Sequence, residues 1–386
     1  MRIAYVTETY PPEINGVALT VERAVGYLRG RGHSVELIRP RQRHEAARED
    51  GEEWRTAGLP IPMYPDLRMG LALTGDLKRR FVATRPQVVH VATQGPLGRA
   101  AVLAARALGL PVTSDFRTNF HCYSRYYGFG RLERVICGYL RNFHNRADCT
   151  FVPARALTRT LGAQGFERLE LLGRGVDTER FTPQARSDAL RRAWGAASPE
   201  QPVALYVSRL APEKNVALAL QAFAALQCRL PGARMVVVGD GPLRRRLEAA
   251  FPQALFVGTQ RGEALAAHYA SADLFLFPSQ SETFGNVTLE ALASGLVVVA
   301  FDSAAAGEHI RDGDNGVLAR GADASAFIDA ACRAATLAPQ WPRLRRRARE
   351  EALAAHWDVV LRRFDHRLAH FAFSDRAERE RHVVLA

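Results

Sequence analysis

Short runs rich in apolar residues alternate with helical patterns along most of this 386-residue chain. Residues 3–6, 34–38 and 203–207 have the character of buried strands, and a helical pattern such as that of residues 17–29 follows. Strands that alternate with helices predict an α/β fold with a parallel sheet. Ligands bind such sheets at the carboxyl ends of the strands, so the loops after the apolar runs are the candidate sites.

The length and the cysteine pattern narrow the class of protein. A chain of 386 residues exceeds what one core usually serves, which predicts two domains. Cysteines lie at positions 122, 137, 149, 228 and 332 without a C-x-x-C pair, which suits a reducing cytosol. No run of about twenty apolar residues occurs, and the first residues enter a strand rather than a signal peptide. We therefore expect a cytoplasmic protein.

Basic residues are concentrated in the first half of the chain. Residues 1–175 hold 26 Lys and Arg against 16 Asp and Glu, a net +10, and residues 176–386 hold 26 against 24, a net +2. This excess predicts contact with an anionic lipid surface, nucleic acid or a phosphorylated acceptor. An Arg-rich genome is the alternative, because Lys78 and Lys214 are the only lysines. We expect peripheral contact with the inner face of the plasma membrane and, without a nucleic-acid motif, no nucleic-acid partner.

The segment from Phe277 to Gly295 has the richest pattern. An apolar run ends at Pro278, a polar turn follows, and a short helical pattern then extends to Gly295, a residue suited to the position after a helix. Thr283 is the predicted N-cap. A strand, a turn and a helix in this order place backbone N–H groups where they can bind an anion.

Two carboxylates distinguish this turn from an ordinary one. Glu282 precedes the helical pattern and Glu290 lies inside it, with Phe284-Gly285-Asn286 between them. Glycine at position 285 lets a ligand approach the backbone closely. A phosphate at the amides and a sugar hydroxyl at each carboxylate would make a nucleotide-sugar site. The alternative is a solvated helix with two surface glutamates.

This string, with its "ETFG" start and "EALASG" end, resembles the E-x7-E motif of the GT-B glycosyltransferases of family 4. The resemblance implies that Glu282 lies beside the donor hexose and that Glu290 holds the nucleotide ribose, with Thr283, Phe284, Gly285 and Asn286 in the donor site. It also implies two Rossmann-like domains that face each other across a cleft, with a C-terminal helix that crosses back to the N-terminal domain.

Other turns match the same family. In "SRLAPEKN", Arg209 and Lys214 flank a turn after a strand, where two cations can clamp a diphosphate. The Asn15-Gly16 pair precedes a helix and resembles the loop that closes over the donor diphosphate. "GDGP" at residues 239–242 matches a family turn, and the stretch that contains Gly258 resembles the one whose loop meets the nucleotide base.

A polar, aromatic-rich segment at residues 114–128 follows another predicted strand. In family 4 the matching segment resembles "H-T-N-F-P-x-Y", with a His near the anomeric centre. Here Arg117 occupies the usual His position, and His121 falls where Pro is common. Arg117 could stabilise negative charge on phosphate. His121 could donate to the same region or could be a structural residue. Which of the two takes the role of the usual His is left open.

The glycine-rich residues 173–177 resemble the family's "NGVD" hinge. We therefore predict an N-terminal acceptor-binding domain at 1–173, a C-terminal donor-binding domain at 174–355, and a crossing helix with a charged tail at 356–386.

Four further segments have weaker patterns. Residues 39–60 are charged and strand-poor, which predicts a surface excursion, and the arginines of residues 343–349 predict a solvated helix face. The D-x-D at residues 312–314 has the composition of a tight turn, so we predict no metal. A basic amphipathic helix predicted for residues 130–146 either packs on the sheet or lies on a membrane.

These features together predict a retaining, metal-independent hexosyltransferase that needs no cofactor. The expected donor is GDP-mannose and the expected acceptor a lipid or glycolipid, as in the bacterial enzymes that the chain resembles. Alternatives are a UDP-glucose- or UDP-galactose-dependent glycosyltransferase, a GT-B nucleotide-sugar epimerase and a non-catalytic sugar-binding module. The sequence leaves open the donor base, the hexose, the acceptor, the linkage and the oligomeric state.

Overall fold

The computed structural model describes residues 1–13, 16–42, 45–61, 64–117, 133–279 and 282–374. The chain forms two compact units, one made of Met1–Gly173 and the stretch that begins at Leu361, the other of Arg174–Val360. Each unit contains a largely or wholly parallel sheet with helices packed on it, so the predicted α/β class is confirmed.

The first unit is built on an eight-stranded sheet, counted over the described residues, in the order β4-β3-β2-β1-β5-β6-β7-β8. Its strands are β1 (Arg2–Val6), β2 (Ser34–Pro40), β3 (Glu53–Ile61), β4 (Tyr64–Leu71), β5 (Val88–Val91), β6 (Val112–Asp115), β7 (Cys149–Val152) and β8 (Leu169–Leu171). Its helices are α1 (Gly16–Gly30), α2 (Thr74–Thr84), α3 (Pro96–Ala107), α4 (Glu133–His144) and α5 (Arg155–Ala163). All neighbouring strands are parallel except β3 and β4.

The second unit is built on a six-stranded, fully parallel sheet in the order β11-β10-β9-β12-β13-β14. Its strands are β9 (Val203–Val207), β10 (Arg234–Val238), β11 (Ala254–Gly258), β12 (Leu274–Phe277), β13 (Val297–Phe301) and β14 (Val317–Ala319). Its helices are α6 (Asp188–Ala193), α7 (Val216–Gln227), α8 (Arg244–Ala250), α9 (Gly262–Ser271), α10 (Asn286–Ala293), α11 (Ala304–His309), α12 (Ala324–Thr336) and α13 (Trp341–Ala354).

The prediction of a strand-poor excursion at residues 39–60 is wrong in part, because β3 begins at Glu53 and pairs with β2. Its charged residues enter the sheet in compensating pairs. The Nε atom of buried Arg39 donates to Glu53 at 2.8 Å, and Arg55 donates to the other Glu53 oxygen at 3.0 Å. A buried charge is tolerated when it is paired and hydrogen-bonded, and the hydrophobic pattern does not show such a pair.

The last helix, α14 (Trp357–Phe373), spans the point where the chain returns to the first unit at Leu361. From there Leu361, Phe364, Leu368 and Phe371 form one buried face at helical spacing. Phe364 packs edge-on against the His90 ring at 4.9 Å between centroids. The family's crossing helix therefore has its counterpart in this part of the chain.

The buried carboxylate of Asp273, at the start of β12, joins three segments of the second unit. Arg191 donates to it at 2.9 Å, Arg186 at 3.1 Å and Arg345 at 3.2 Å. The backbone N–H of Val203 donates at 3.0 Å. The carboxylate thus anchors the segment that precedes β9, and also α13, to the amino end of β12.

The prediction that the arginines of residues 343–349 form a solvated face is therefore wrong in part. Arg345 also donates to the Gly295 carbonyl at 2.6 Å. Arg349 donates to the carbonyls of Phe181 and Ala293, both at 2.7 Å. Guanidinium groups with several donors can satisfy carbonyl oxygens that would otherwise be unpaired at the ends of helices and strands.

We expect Asp273→Asn to lower the free energy of unfolding of the second unit by about 3 kcal/mol or more, because it leaves buried Arg191 and half-buried Arg186 and Arg345 without their counter-charge. Urea denaturation followed by tryptophan fluorescence measures the change. Asp329→Asn, at an exposed acid of α12, is the matched control and should unfold like the wild type. Equal unfolding midpoints for the two variants would contradict the role assigned to Asp273.

Candidate functional site

The strand order of the second unit reverses between β9 and β12. The chain adds β10 and β11 on one side of this pair and β13 and β14 on the other. In open parallel sheets, a crevice for ligands forms outside the carboxyl ends of the strands at such a reversal. The loops that leave β9 and β12 at this edge contain the predicted residues Arg209, Lys214 and Glu282.

Lys214 and Glu282 form an ion pair between these two loops. Each side chain is about 15% exposed, so the pair is shielded from bulk water without being sealed off. The Ser279 hydroxyl donates to the same Glu282 oxygen, Oε1, at 2.9 Å. The structure therefore brings together a predicted phosphate-binding cation and a predicted hexose-binding acid that are 68 positions apart in the sequence.

The Lys214 turn is stabilised by a hydrogen bond from β9 and by its own backbone conformation. The Tyr206 hydroxyl, on β9, donates to the Lys214 carbonyl at 3.0 Å. Residues Pro212–Lys214 form one 3-10 turn, and Asn215 then adopts a left-handed conformation with φ of 54°. Asn is among the few residues other than glycine that tolerate this conformation.

Arg209 lies in the same loop and forms an ion pair with Glu213. The Glu213 side chain is 1% exposed, whereas that of Arg209 is 47% exposed. A buried acid thus holds the guanidinium group of a half-exposed arginine. The loop can therefore present two cations, Arg209 and Lys214, to a diphosphate.

The "GDGP" turn after β10 packs directly against this loop. A Cβ atom at Gly239 would overlap the Ser208 carbonyl oxygen, and one at Gly241 would lie 2.5 Å from the Leu210 carbonyl oxygen. The Leu210 N–H donates to the Asp240 carbonyl at 2.8 Å. These glycines therefore allow the two loops to approach each other, a structural role that the sequence analysis did not assign to them.

Gly285 is the N-cap of helix α10, so the prediction of Thr283 at that position is wrong. Gly285 adopts φ of 87°, a conformation that L-residues rarely take, and the helix follows from Asn286. Phe284 is fully buried, and its carbonyl accepts the Ala305 N–H at 2.7 Å. Gly295, by contrast, has φ of 71° directly after the helix, as predicted.

Glu290 is half-buried in α10, and the hydroxyl of fully buried Tyr269 donates to its Oε2 atom at 2.9 Å. Burial raises the pKa of Glu290 to about 7, although the Tyr269 hydrogen bond lowers it. A carboxylate of this kind changes its charge near neutral pH. Sequence reasoning predicted Glu290 but missed Tyr269, which belongs to another helix and has no spacing relation to the motif.

Among the described residues, the predicted donor residues Gly258 and Gly16 lie in other elements. Gly258 ends β11 with φ of 73° and lies at the same carboxyl edge, where its carbonyl accepts the Gly239 N–H at 2.9 Å. Gly16 is the first residue of α1 in the other unit. Asn15 and His121 lie outside the described residues.

Arg117 forms part of a buried polar cluster in the first unit. Its Nε atom donates to Asp115 at 2.6 Å, and Asp115 also bonds His90 at 3.1 Å. Burial alone would raise the pKa of Asp115, but the charges and hydrogen bonds of Arg117 and His90 together outweigh it, and the pKa falls to about 2. Arg117 is thus a fixed cation at the carboxyl end of β6, and its predicted action on phosphate stays a prediction.

Glu8 follows β1, the strand next to the point where the order of the first sheet reverses. Its Oε1 atom accepts the Leu97 N–H at 2.8 Å at the start of α3, and its own N–H donates to the Thr93 hydroxyl at 2.8 Å. A Cβ atom at Gly95 would overlap this carboxylate. Burial raises the pKa of Glu8 to about 7, although the Leu97 and Gly98 amides lower it.

The family model described as Glycosyltransferase Family 4 matches residues 14–180, and that described as Glycosyl transferases group 1 matches residues 201–336. A GDP-mannose-dependent alpha-mannosyltransferase of Mycolicibacterium smegmatis is 37% identical over 369 residues, which cover 93% of this chain and 95% of the relative. The chain belongs to glycosyltransferase family 4.

Two further proteins resemble this glycosyltransferase. The alpha-monoglucosyldiacylglycerol synthase of Streptococcus pneumoniae is 29% identical over 316 residues, which cover 78% of this chain and 71% of the relative. A sucrose-phosphate synthase of Thermosynechococcus elongatus superposes with a TM-score of 0.75 at 18% identity over 97% of this chain and 100% of its own. At this identity the superposition supports the fold alone, and the GT-B class is confirmed.

The D-x-D motif of the glycosyltransferase forms the tight turn that its composition predicts, since the Gly313 N–H donates to the Gly316 carbonyl at 2.8 Å. Asp312 accepts from Arg333 at 2.8 Å, and Asp314 pairs with Arg347 at 3.5 Å. Among the described residues, no cluster of three or more His, Cys, Asp or Glu could hold a metal ion. In the same part of the chain, no helix combines the length and apolarity that a bilayer crossing requires.

We expect Glu8→Gln to change how the stability of the glycosyltransferase depends on pH. The pKa of Glu8 is about 7 in the folded state against an ordinary 4.5, so the folded state retains a proton that the unfolded chain releases. Wild-type stability should therefore decline relative to Glu8→Gln as pH rises from 4.5 through 7, by about 3 kcal/mol in total.

Urea denaturation at pH 5, 6, 7 and 8 measures this difference. The control is Glu22→Gln, at an exposed acid of α1, which should follow the wild type at every pH. If wild type and Glu8→Gln differed by a constant amount across this range, the raised pKa would be contradicted.

Proposed function

We propose that this protein transfers mannose from GDP-mannose to a lipid or glycolipid acceptor, with retention of the anomeric configuration. The observation that carries the proposal is the ion pair of Lys214 with Glu282 at the strand-order reversal of the second unit. In a nucleotide sugar the β-phosphate is bonded directly to the anomeric carbon. Groups that bind the phosphate and the hexose must therefore lie next to each other, as Lys214 and Glu282 do.

In this proposal Arg209 and Lys214 bind the diphosphate and neutralise the charge that grows on it as the sugar leaves. The backbone amides after Gly285 add further donors. Glu282 orients the hexose, and Glu290 accepts hydrogen bonds from the ribose. Both assignments come from the resemblance to family 4. The position of Glu282 beside Lys214 supports the first, and the position of Glu290 in α10, which follows the Glu282 loop, supports the second.

The transfer step requires one bond to form and one to break. The acceptor hydroxyl oxygen bonds to the anomeric carbon while the bond from that carbon to the β-phosphate oxygen breaks. The hydroxyl proton leaves with the diphosphate. A step of this kind needs stabilisation of the leaving group more than it needs a protein nucleophile, and the paired cations Arg209 and Lys214 supply it.

The nature of the acceptor is inferred from charge and from the relatives. The first 175 residues carry a net charge of +10, which favours an anionic bilayer surface. One relative is named as a mannosyltransferase that depends on GDP-mannose, and another is named for a glucosylated diacylglycerol. The second name makes a glucosyl donor the second candidate. We place the enzyme in the cytoplasm, bound peripherally at the membrane, without a metal or a cofactor.

We expect Lys214→Ala to lower kcat by about 100-fold or more, because it removes a cation from the departing diphosphate. The rate of GDP release from GDP-mannose in the presence of acceptor measures it. Lys78→Ala, at the other lysine of the chain, is the matched control and should retain wild-type turnover. Turnover that Lys214→Ala leaves intact would remove this residue from the site.

A donor panel tests the reaction itself. GDP-mannose, UDP-glucose and UDP-galactose are each incubated with the protein and a bacterial lipid extract, and the products are identified by mass spectrometry and by the anomeric coupling in NMR. An α-linked mannolipid is the expected product. A glucolipid would favour the second donor, a β-linkage would overturn retention, and conversion of the donor without any acceptor would indicate an epimerase.

A further inference from the structure

Tyr269 connects the helix α9 to the carboxylate of Glu290 in the neighbouring helix α10. The tyrosine is fully buried, and its hydroxyl donates to Glu290 Oε2 at 2.9 Å. The Glu290 carboxylate makes no other hydrogen bond with the described part of the chain. The orientation of the carboxylate therefore depends on a residue outside the E-x7-E motif.

The ring of Tyr269 is fixed by two aromatic neighbours. Phe181 packs against it edge-on, with 5.6 Å between centroids and 86° between planes, and Phe275 of β12 lies at 5.7 Å. Close packing of this kind leaves a side chain little freedom to change rotamer. The hydroxyl is consequently presented to Glu290 at a fixed point.

The two oxygens of Glu290 differ in what they bond. Oε2 accepts from Tyr269, whereas Oε1 makes no hydrogen bond with the described part of the chain. Glu290 is half-buried rather than sealed, so a ligand can supply the missing donor. A carboxylate oxygen accepts hydroxyl groups and cannot donate to them while it is ionised.

We propose that Tyr269 is a positioning residue for the donor nucleotide: it holds Glu290 by one oxygen and so leaves the other to accept a ribose hydroxyl. The inference rests on the proposed function, which assigns Glu290 to the ribose. It adds Tyr269 as the residue that fixes the orientation of the Glu290 carboxylate toward the ribose. Without Tyr269 the carboxylate could rotate or take up a proton, and either change would weaken its bond to the ribose.

The charges around Glu290 support this role. From α9, Tyr269 touches it, while Glu263 pairs with Arg180 and His268 bonds the Ala264 carbonyl. On α11 the ionisable groups are Glu308 and His309, and His309 pairs with Glu351 of α13. On α13, Arg345 and Arg349 bind the carbonyls of Gly295 and Ala293, and the helix also carries Arg343, Arg346, Arg347 and Glu350. Burial raises the pKa of Glu290, and the Tyr269 hydrogen bond opposes that rise.

Tyr269→Phe keeps the ring and removes the hydroxyl. We expect it to weaken GDP binding roughly tenfold at pH 7, the size expected for a hydrogen bond to a charged group. The KM for GDP-mannose should rise with little change in kcat, because a ribose contact is made equally in the ground and transition states. As the pH is lowered, Glu290 takes up a proton and GDP affinity falls. In Tyr269→Phe this fall should begin at a higher pH than in the wild type, because the hydrogen bond that lowers the pKa of Glu290 is gone.

Isothermal titration calorimetry with GDP, at pH 6, 7 and 8, tests the proposal on four proteins: the wild type, Tyr269→Phe, Glu290→Gln and the double variant. If Tyr269 acts through Glu290, the double variant should bind GDP as weakly as Glu290→Gln alone. Tyr139→Phe is the matched control, since it removes a tyrosine hydroxyl that donates to the Gln94 carbonyl at 2.7 Å in the first unit. It should leave GDP affinity unchanged.

Additive effects of the two substitutions, or wild-type GDP affinity and pH profile in Tyr269→Phe, would overturn the proposal and leave the proposed function standing. If the wild type bound neither GDP nor UDP, the proposed function would fail and this inference with it. Should Tyr269→Phe not fold, Phe181→Leu, which loosens the ring from one side, must show a smaller loss of GDP affinity in the same direction. Unchanged affinity there would equally count against the proposal.

Discussion

The ion pair of Lys214 with Glu282 is the interaction on which the second unit's candidate site depends. It joins the loop after β9 to the loop after β12, at the place where the order of the sheet reverses. Opposite charges in a partly shielded position attract more strongly than at a fully exposed surface. The same shielding makes an unpaired charge unfavourable at this position. An anionic ligand that binds Lys214 must therefore also offer hydrogen-bond donors to Glu282. A sugar joined to a diphosphate offers both an anion and hydroxyl donors.

Contacts at both the carboxyl and the amino edge of the second sheet stabilise the two loops that contain this pair. At the carboxyl edge, Gly239 and Gly241 let one loop lie against another, and Tyr206 holds the Lys214 turn from below. At the amino edge, Asp273 ties the segment before β9 and the helix α13 to β12. The strands β9, β12 and β13 between these two edges are buried along their whole length, so a displacement at one end is resisted at the other.

The sequence predicted those parts of the fold that rest on periodicity and on short-range signals. The alternation of strands and helices and the glycine after α10 belong to this class, whereas the grouping of Lys214 with Glu282 was predicted through the resemblance to family 4. Sequence reasoning failed where a charged side chain is buried because other charged side chains neutralise it. Glu53 enters a strand because Arg39 and Arg55 neutralise it, and Arg345 is drawn inward by Asp273. Tyr269 was missed as well, because a tyrosine in an apolar helix does not reveal which carboxylate it meets.

The predicted N-cap shows a different limit. Thr283 has the side chain that commonly begins a helix, yet the left-handed backbone at Gly285 decides where α10 starts. Local preference was overridden by the need to turn the chain between Glu282 and the helix within a few residues. Such turns are set by backbone conformation, which a preference for side-chain types describes only indirectly.

The return of the chain to the first unit at Leu361 has a consequence for synthesis. Arg174–Val360 is contiguous, so all of its residues are translated without interruption. The first unit is completed later, because Phe364, which packs against His90 and Phe151, is translated after the whole second unit. Until then its sheet lacks part of its apolar cover. The first unit is therefore completed only after the second unit has been translated.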